Sequence, residues 1–83
     1  MSSITRIVLD VLKPHIPNAL EFAKAIADNN SGCQVTVTVV EVDEKTESTM
    51  ITIEGNKIVY EHIVDTVASL GGSIHSIDEL ENQ

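Results

Sequence analysis

The sequence predicts an α+β fold, and three observations carry that prediction. The opening stretch Ile4–Lys13, ITRIVLDVLK, is apolar at Ile7, Leu9 and Val11 on one parity. The other parity holds Val8 and Leu12, interrupted by Arg6 and Asp10. A strand apolar on both faces belongs in the middle of a sheet. Cys33–Asp43, CQVTVTVVEVD, and the following Ser48–Gly55, STMITIEG, alternate as the two arms of a hairpin. Two further stretches carry helical spacing instead: Ala19, Phe22, Ala23 and Ile26, then Tyr60, Ile63, Val64, Val67 and Leu70.

The elements follow in order. Pro14 ends the first strand by removing a ladder donor. Asn18 with Glu21 three residues on has the pattern of a capping box, so the first helix starts there. Leu20 and Ala27 widen its apolar face, and Asp28–Gly32 closes it with turn residues. In the hairpin, Glu44-Lys45-Thr46 reads as the turn. Pairing Val39 with Ile51 and Val37 with Ile53 makes the apolar sides coincide. Gly71-Gly72 ends the second helix. Ser73–Leu80, SIHSIDEL, is the last strand; its polarity does not alternate cleanly, and the face of His75 stays open.

The order β-α-β-β-α-β, with right-handed crossovers, gives the ferredoxin-like split-βαβ sandwich. In it a four-stranded antiparallel sheet of order 4-1-3-2 carries two helices on one face. Residues 1–83 form one such domain, with a thin core built from Ile, Val, Leu and Ala.

Composition narrows the function. The net charge is −8, from 13 acids against 5 bases. That argues against nucleic acid, which needs clustered Lys and Arg, and against anionic membrane surfaces. Cys33 is the single cysteine, so neither an internal disulfide nor a cysteine-based metal site can form within one chain. MSSITRIV lacks the apolar core of a signal peptide, and no run reaches the length of a membrane span; a cytoplasmic protein is expected.

RIVLDVLKPH near the start, VTVVEVDEKTE in the hairpin, ITIEG after it and GGSIHSIDE at the end resemble a small, mostly archaeal family. It is known as domain of unknown function number 211. The resemblance covers nearly the whole chain and implies the ferredoxin-like fold and an oligomeric state. It implies no activity. Val59 departs from the family pattern, where an acidic or polar helix cap is usual.

The fold hosts many functions, so each is weighed at its site. An RNA-recognition sheet would show aromatic residues and positive charge, where this chain offers Val8, Asp10, Thr52 and Glu54. Acylphosphatase-like chemistry needs an Arg-bearing phosphate loop after the first strand, and a metal chaperone needs two cysteines there. Lys13-Pro14-His15 supplies neither.

Two metal constellations remain as candidates. His15, His75 and Glu54 are expected to approach one another at one end of the sheet, as mixed N and O ligands. Cys33 is expected at that same end, as a small hydrophobe. Glu41, Asp43, Glu44 and Glu47 in the hairpin, with Asp78, Glu79 and Glu81 in the last strand, are expected at the opposite end. Those carboxylates would take a hard divalent cation such as calcium. The plainer reading of both groups, a loop histidine with a bonded strand histidine and a solvated acidic surface, is the favoured one. Arg6 is expected to pair with Asp78 as a structural ion pair.

The leading functional reading is a non-enzymatic homo-oligomeric module, regulatory or ligand-binding. The helices leave one sheet face bare, with Val8, Thr36, Thr38, Val40, Val42 and Met50 as the interface candidates. The alternatives are a metal-binding protein and, last, an enzyme whose site spans two subunits. No motif names a small-molecule ligand, a pathway or a subunit number.

Overall fold

A computed structural model describes residues 3–83. The elements are β1 (Ile4–Pro14), α1 (Ala19–Asn29), β2 (Gln34–Val42), β3 (Thr46–Ile58), α2 (Tyr60–Ser69) and β4 (Ser73–Asn82). The four strands pair antiparallel in the order β2-β3-β1-β4, which counted from the other edge is 4-1-3-2. The arrangement is α+β and compatible with a ferredoxin-like fold.

Local chemistry sets the helix ends. The Asn18 side-chain oxygen accepts from the Glu21 amide at 2.9 Å, and the Glu21 carboxylate accepts from the Asn18 amide at 3.1 Å. This reciprocal pair is the capping box that starts α1. Val59 precedes α2 and gives no side-chain cap, yet the helix still begins at Tyr60. Tertiary packing of Ile63 and Val67 holds it there. At its other end Gly71 takes a φ of +82°, and the Gly72 amide donates to Val67 O at 2.9 Å. A Cβ on Gly72 would stand 3.0 Å from both Phe22 and Val67, so glycine lets the chain turn tightly beneath the two helices.

Directly opposed residues of antiparallel strands share a face, so the sheet reads as rows. Toward the helices, one row is Val35, Ile53, Ile7 and Leu80. The next is Val37, Ile51, Leu9 and Ile77, followed by Val39, Thr49, Val11 and Ile74. Phe22 and Ile26 of α1 and Ile63 and Val67 of α2 pack on these rows, and the centre of the cluster has no solvent contact. Each large aliphatic buried there contributes about 1.5–3 kcal/mol. Thr49 fits the apolar row because its hydroxyl donates to Val11 O at 2.7 Å. Leu20 does not widen the helix face as expected: it lies in the first turn and is 76% exposed.

Two expectations about the strands are corrected. The hairpin pairs Val37 with Ile51 and Val35 with Ile53, two residues away from the expected register. Parity is unchanged, so both strands keep their faces. The shift arises because Thr46 belongs to β3, leaving Asp43–Lys45 as the turn, closed by the Asp43 amide donating to Thr46 O at 2.8 Å. Second, the register slips between Val39 and Glu41. This bulge turns Val42, opposite Glu47, onto the helix side, so Val42 does not share the bare face with Val40.

The faces of β4, left open by its sequence pattern, are set by its pairing with β1, which shifts three times: between Ile4 and Arg6, at Asp78 and at His75. Ile74, Ile77 and Leu80 therefore all face the helix side although three residues separate them. That is why the strand's polarity does not alternate.

Candidate interaction surface

The face away from the helices is built from the even positions of β1. Its rows are Thr36, Thr52, Val8 and Glu79; Thr38, Met50, Asp10 and Ser76; and Glu41, Ser48, Leu12 and Ser73. Val8 is buried among its strand neighbours, at 2% accessibility. Val40 at 64%, Met50 at 43% and Leu12 at 40% remain open. Two adjoining hollows mark this surface. One of about 170 Å³ is lined by Asp10, Val40, Ser48, Met50 and Asp78. The other, about 180 Å³, shares Asp10 and Ser48 and adds Leu12 and His75.

Arg6 sits at the far end of this face. Its guanidinium donates to Glu79 at 2.6 Å, with Glu81 at 3.9 Å and Glu54 at 4.0 Å. The partner is Glu79, not the expected Asp78, because the β4 slip at Asp78 sets Glu79 opposite Val8. The Glu79 hydrogen bond holds the Arg6 pKa above its ordinary value. Asp78 instead accepts from the Ser76 hydroxyl at 2.7 Å.

The candidate metal groups are not brought together as expected. β1 and β3 run antiparallel, so Glu54 pairs with Arg6 at one end, while His15 follows Pro14 at the other. Cys33 likewise lies near Gly55, away from His15, and burial pushes its thiol pKa up. His75 lies 3.6 Å from Asp10, and His15 is bonded to Glu47 and to Glu44 O. The hairpin turn with Asp43 stands at the His15 end, and the acidic stretch Glu79–Glu81 at the opposite end, near Arg6. Glu41 belongs with the hairpin, opposite Ser48. Among the described residues, no group of three or more His, Cys, Asp or Glu is placed to hold a metal ion.

Where β1 meets the hairpin, the structure assembles a cluster that sequence reading missed. Lys13 continues the inward parity of Leu9 and Val11 and has no accessible surface. Its ammonium donates to Pro14 O at 2.7 Å and to Glu47 at 3.0 Å, and lies 5.7 Å from the centre of the Phe22 ring. His15 Nδ1 meets the other Glu47 oxygen at 2.9 Å, and Nε2 meets Glu44 O at 3.0 Å. The bond from His15, then that from Lys13, holds the Glu47 carboxyl below the usual carboxylate range. The signal was present in the sequence: Lys13 on the core parity implies a carboxylate across the strand, and Glu47 stands there.

Residues 5–82 match the family model DUF211, described as uncharacterized ArCR. The chain is 45% identical over 80 residues to the uncharacterized protein MJ0319 of Methanocaldococcus jannaschii. That alignment covers 96% of this chain and 82% of the relative. No helix among the described residues is long and apolar enough to cross a membrane.

Proposed function

The chain belongs to the uncharacterised DUF211 family, and we propose that it is a non-enzymatic module, built on a ferredoxin-like frame, that assembles with copies of itself. The observation that carries this reading is the pairing of an uncovered sheet face with an unguarded edge. Val40, Met50 and Leu12 stay open on that face. Beside them runs β2, an outer strand of the sheet. From Gln34 to Val40 it carries no Lys, no Pro and no charge, the residues that normally keep an edge from pairing. Val39 and Val42 add exposed aliphatic surface on the helix side, so the far end of β2 is apolar on both sides. A second copy pairing with that edge or packing on that face would bury both.

The non-enzymatic part rests on how the polar groups are used. Lys13, His15 and Glu47 spend their donors and acceptors on one another and on nearby carbonyls. Arg6 is engaged with Glu79. Such groups fix strand ends rather than present a reactive atom. Native mass spectrometry of protein purified from its source tests the reading. A discrete multiple of the 9.0 kDa chain supports it. A monomer carrying a retained metabolite would replace it with a ligand-binding role.

A further inference from the structure

Both ring nitrogens of His15 face acceptors. Nδ1 lies 2.9 Å from the Glu47 carboxylate and Nε2 lies 3.0 Å from the Glu44 carbonyl. A neutral imidazole has one N–H and can satisfy only one of these oxygens, whereas the imidazolium satisfies both. The two acceptors belong to different parts of the hairpin. Glu47 is in β3, and Glu44 is in the turn that joins β2 to β3. His15 itself lies just past the end of β1.

We propose that His15 is a proton-operated latch that fastens the β2–β3 turn to the end of β1. Protonated, it bridges strand and turn. Deprotonated, it releases one of the two contacts and frees the turn. The charged groups around it are few. Glu47 from β3 favours the cation. Lys13 from β1 opposes it but is held on the other Glu47 oxygen. The turn presents backbone carbonyls, with Glu44 as the bonded one. Glu47 first, and the Glu44 carbonyl second, hold the His15 pKa above the ordinary histidine value.

The sign of the linkage follows. The latch contributes its full stability below about pH 6.5, the unfolded value. That contribution is lost as pH rises through the higher folded pKa. Val40 and Val42 lie on the same hairpin, so the latch also regulates the assembly proposed above. This last link rests on that reading; the latch itself does not.

The test is NMR on the intact chain. Titration of the imidazole nitrogens is expected to place the His15 pKa above 6.5. Exchange protection of the Asp43 amide, which closes the turn, is expected to fall about tenfold between pH 5.5 and 8.5, after correction for intrinsic exchange. In His15→Gln that protection is expected to be low and independent of pH. A His15 pKa at or below the ordinary value overturns the latch, as does an unchanged pH dependence in His15→Gln. A monomeric protein whose latch titrates as described supports the latch and ends the assembly reading.

Discussion

Lys13 and Glu47 face each other across β1 and β3 with a 3.0 Å ion pair, and the lysine has no accessible surface at all. A buried charge is tolerated only while its partner remains. The two halves of the pair should therefore respond unequally. Lys13→Met keeps an aliphatic stem against Phe22 and leaves Glu47 its bond to His15. Glu47→Gln strands the ammonium inside the protein. Urea unfolding of both variants is expected to show the larger fall in midpoint for Glu47→Gln. Equal loss in the two would mean that packing of the stem, not the charge, holds this end of the sheet.

The two helices start differently, which gives a matched pair of substitutions. Asn18→Ala removes the α1 capping box and is expected to cost about 1 kcal/mol. Val59→Ser supplies the side-chain cap that α2 lacks and is expected to stabilise the protein by about 0.5–1 kcal/mol. Thermal unfolding of each reads the sign directly.

Acid should weaken the β1–hairpin junction. Glu47 titrates below the ordinary carboxylate value because His15 and Lys13 bond its ionised form. Its contribution is present above the unfolded carboxylate pKa, about 4.3. It is lost as pH falls through the lower folded value. The gap in melting temperature between wild type and Glu47→Gln is expected to hold between pH 5 and 6 and to close toward pH 3. A gap that stays constant to pH 3 would show that ionisation of Glu47 does not stabilise the fold.

Calcium gives a further check, since Glu41 and Asp43 lie with the hairpin and Glu79 opposite Val8 on β4. Residues separated along the sheet cannot chelate one ion within a chain. Isothermal titration is expected to show weak binding at most, abolished in Glu41→Gln/Asp43→Asn. Tight binding that survives both changes would place a site elsewhere or between subunits.

The element order, the α1 cap and the inward faces of β1, β2 and β3 were legible because each follows from local pattern. Parity at Ile7, Leu9 and Val11, and at Ile51 and Ile53, survives any register shift by two. What was lost depends on slips. The bulge after Val39 moves Val42 to the other face, and the slips at His75 and Asp78 turn Ile74, Ile77 and Leu80 inward together. A spacing of three in a strand has no face until the partner strand is known. The candidate metal groups went wrong for a different reason, the ends of antiparallel strands. Lys13 is not legible as a core residue because lysine is so rarely buried without a partner, and its partner lies 34 residues away.

The central claim is that the outer edge and open face near Val40 form the contact between copies. Sedimentation velocity at micromolar concentration, on wild type and on Thr38→Lys/Val40→Lys, tests it most directly. Thr38 stands opposite Met50 on the open face, and Val40 lies at the adjacent bulge. Both are surface positions, so the double variant is expected to keep its fold, checked by an unchanged circular dichroism spectrum. The account predicts an oligomeric wild type and a monomeric double variant. A monomeric wild type would contradict self-assembly, and an unchanged oligomer in the double variant would contradict the choice of surface.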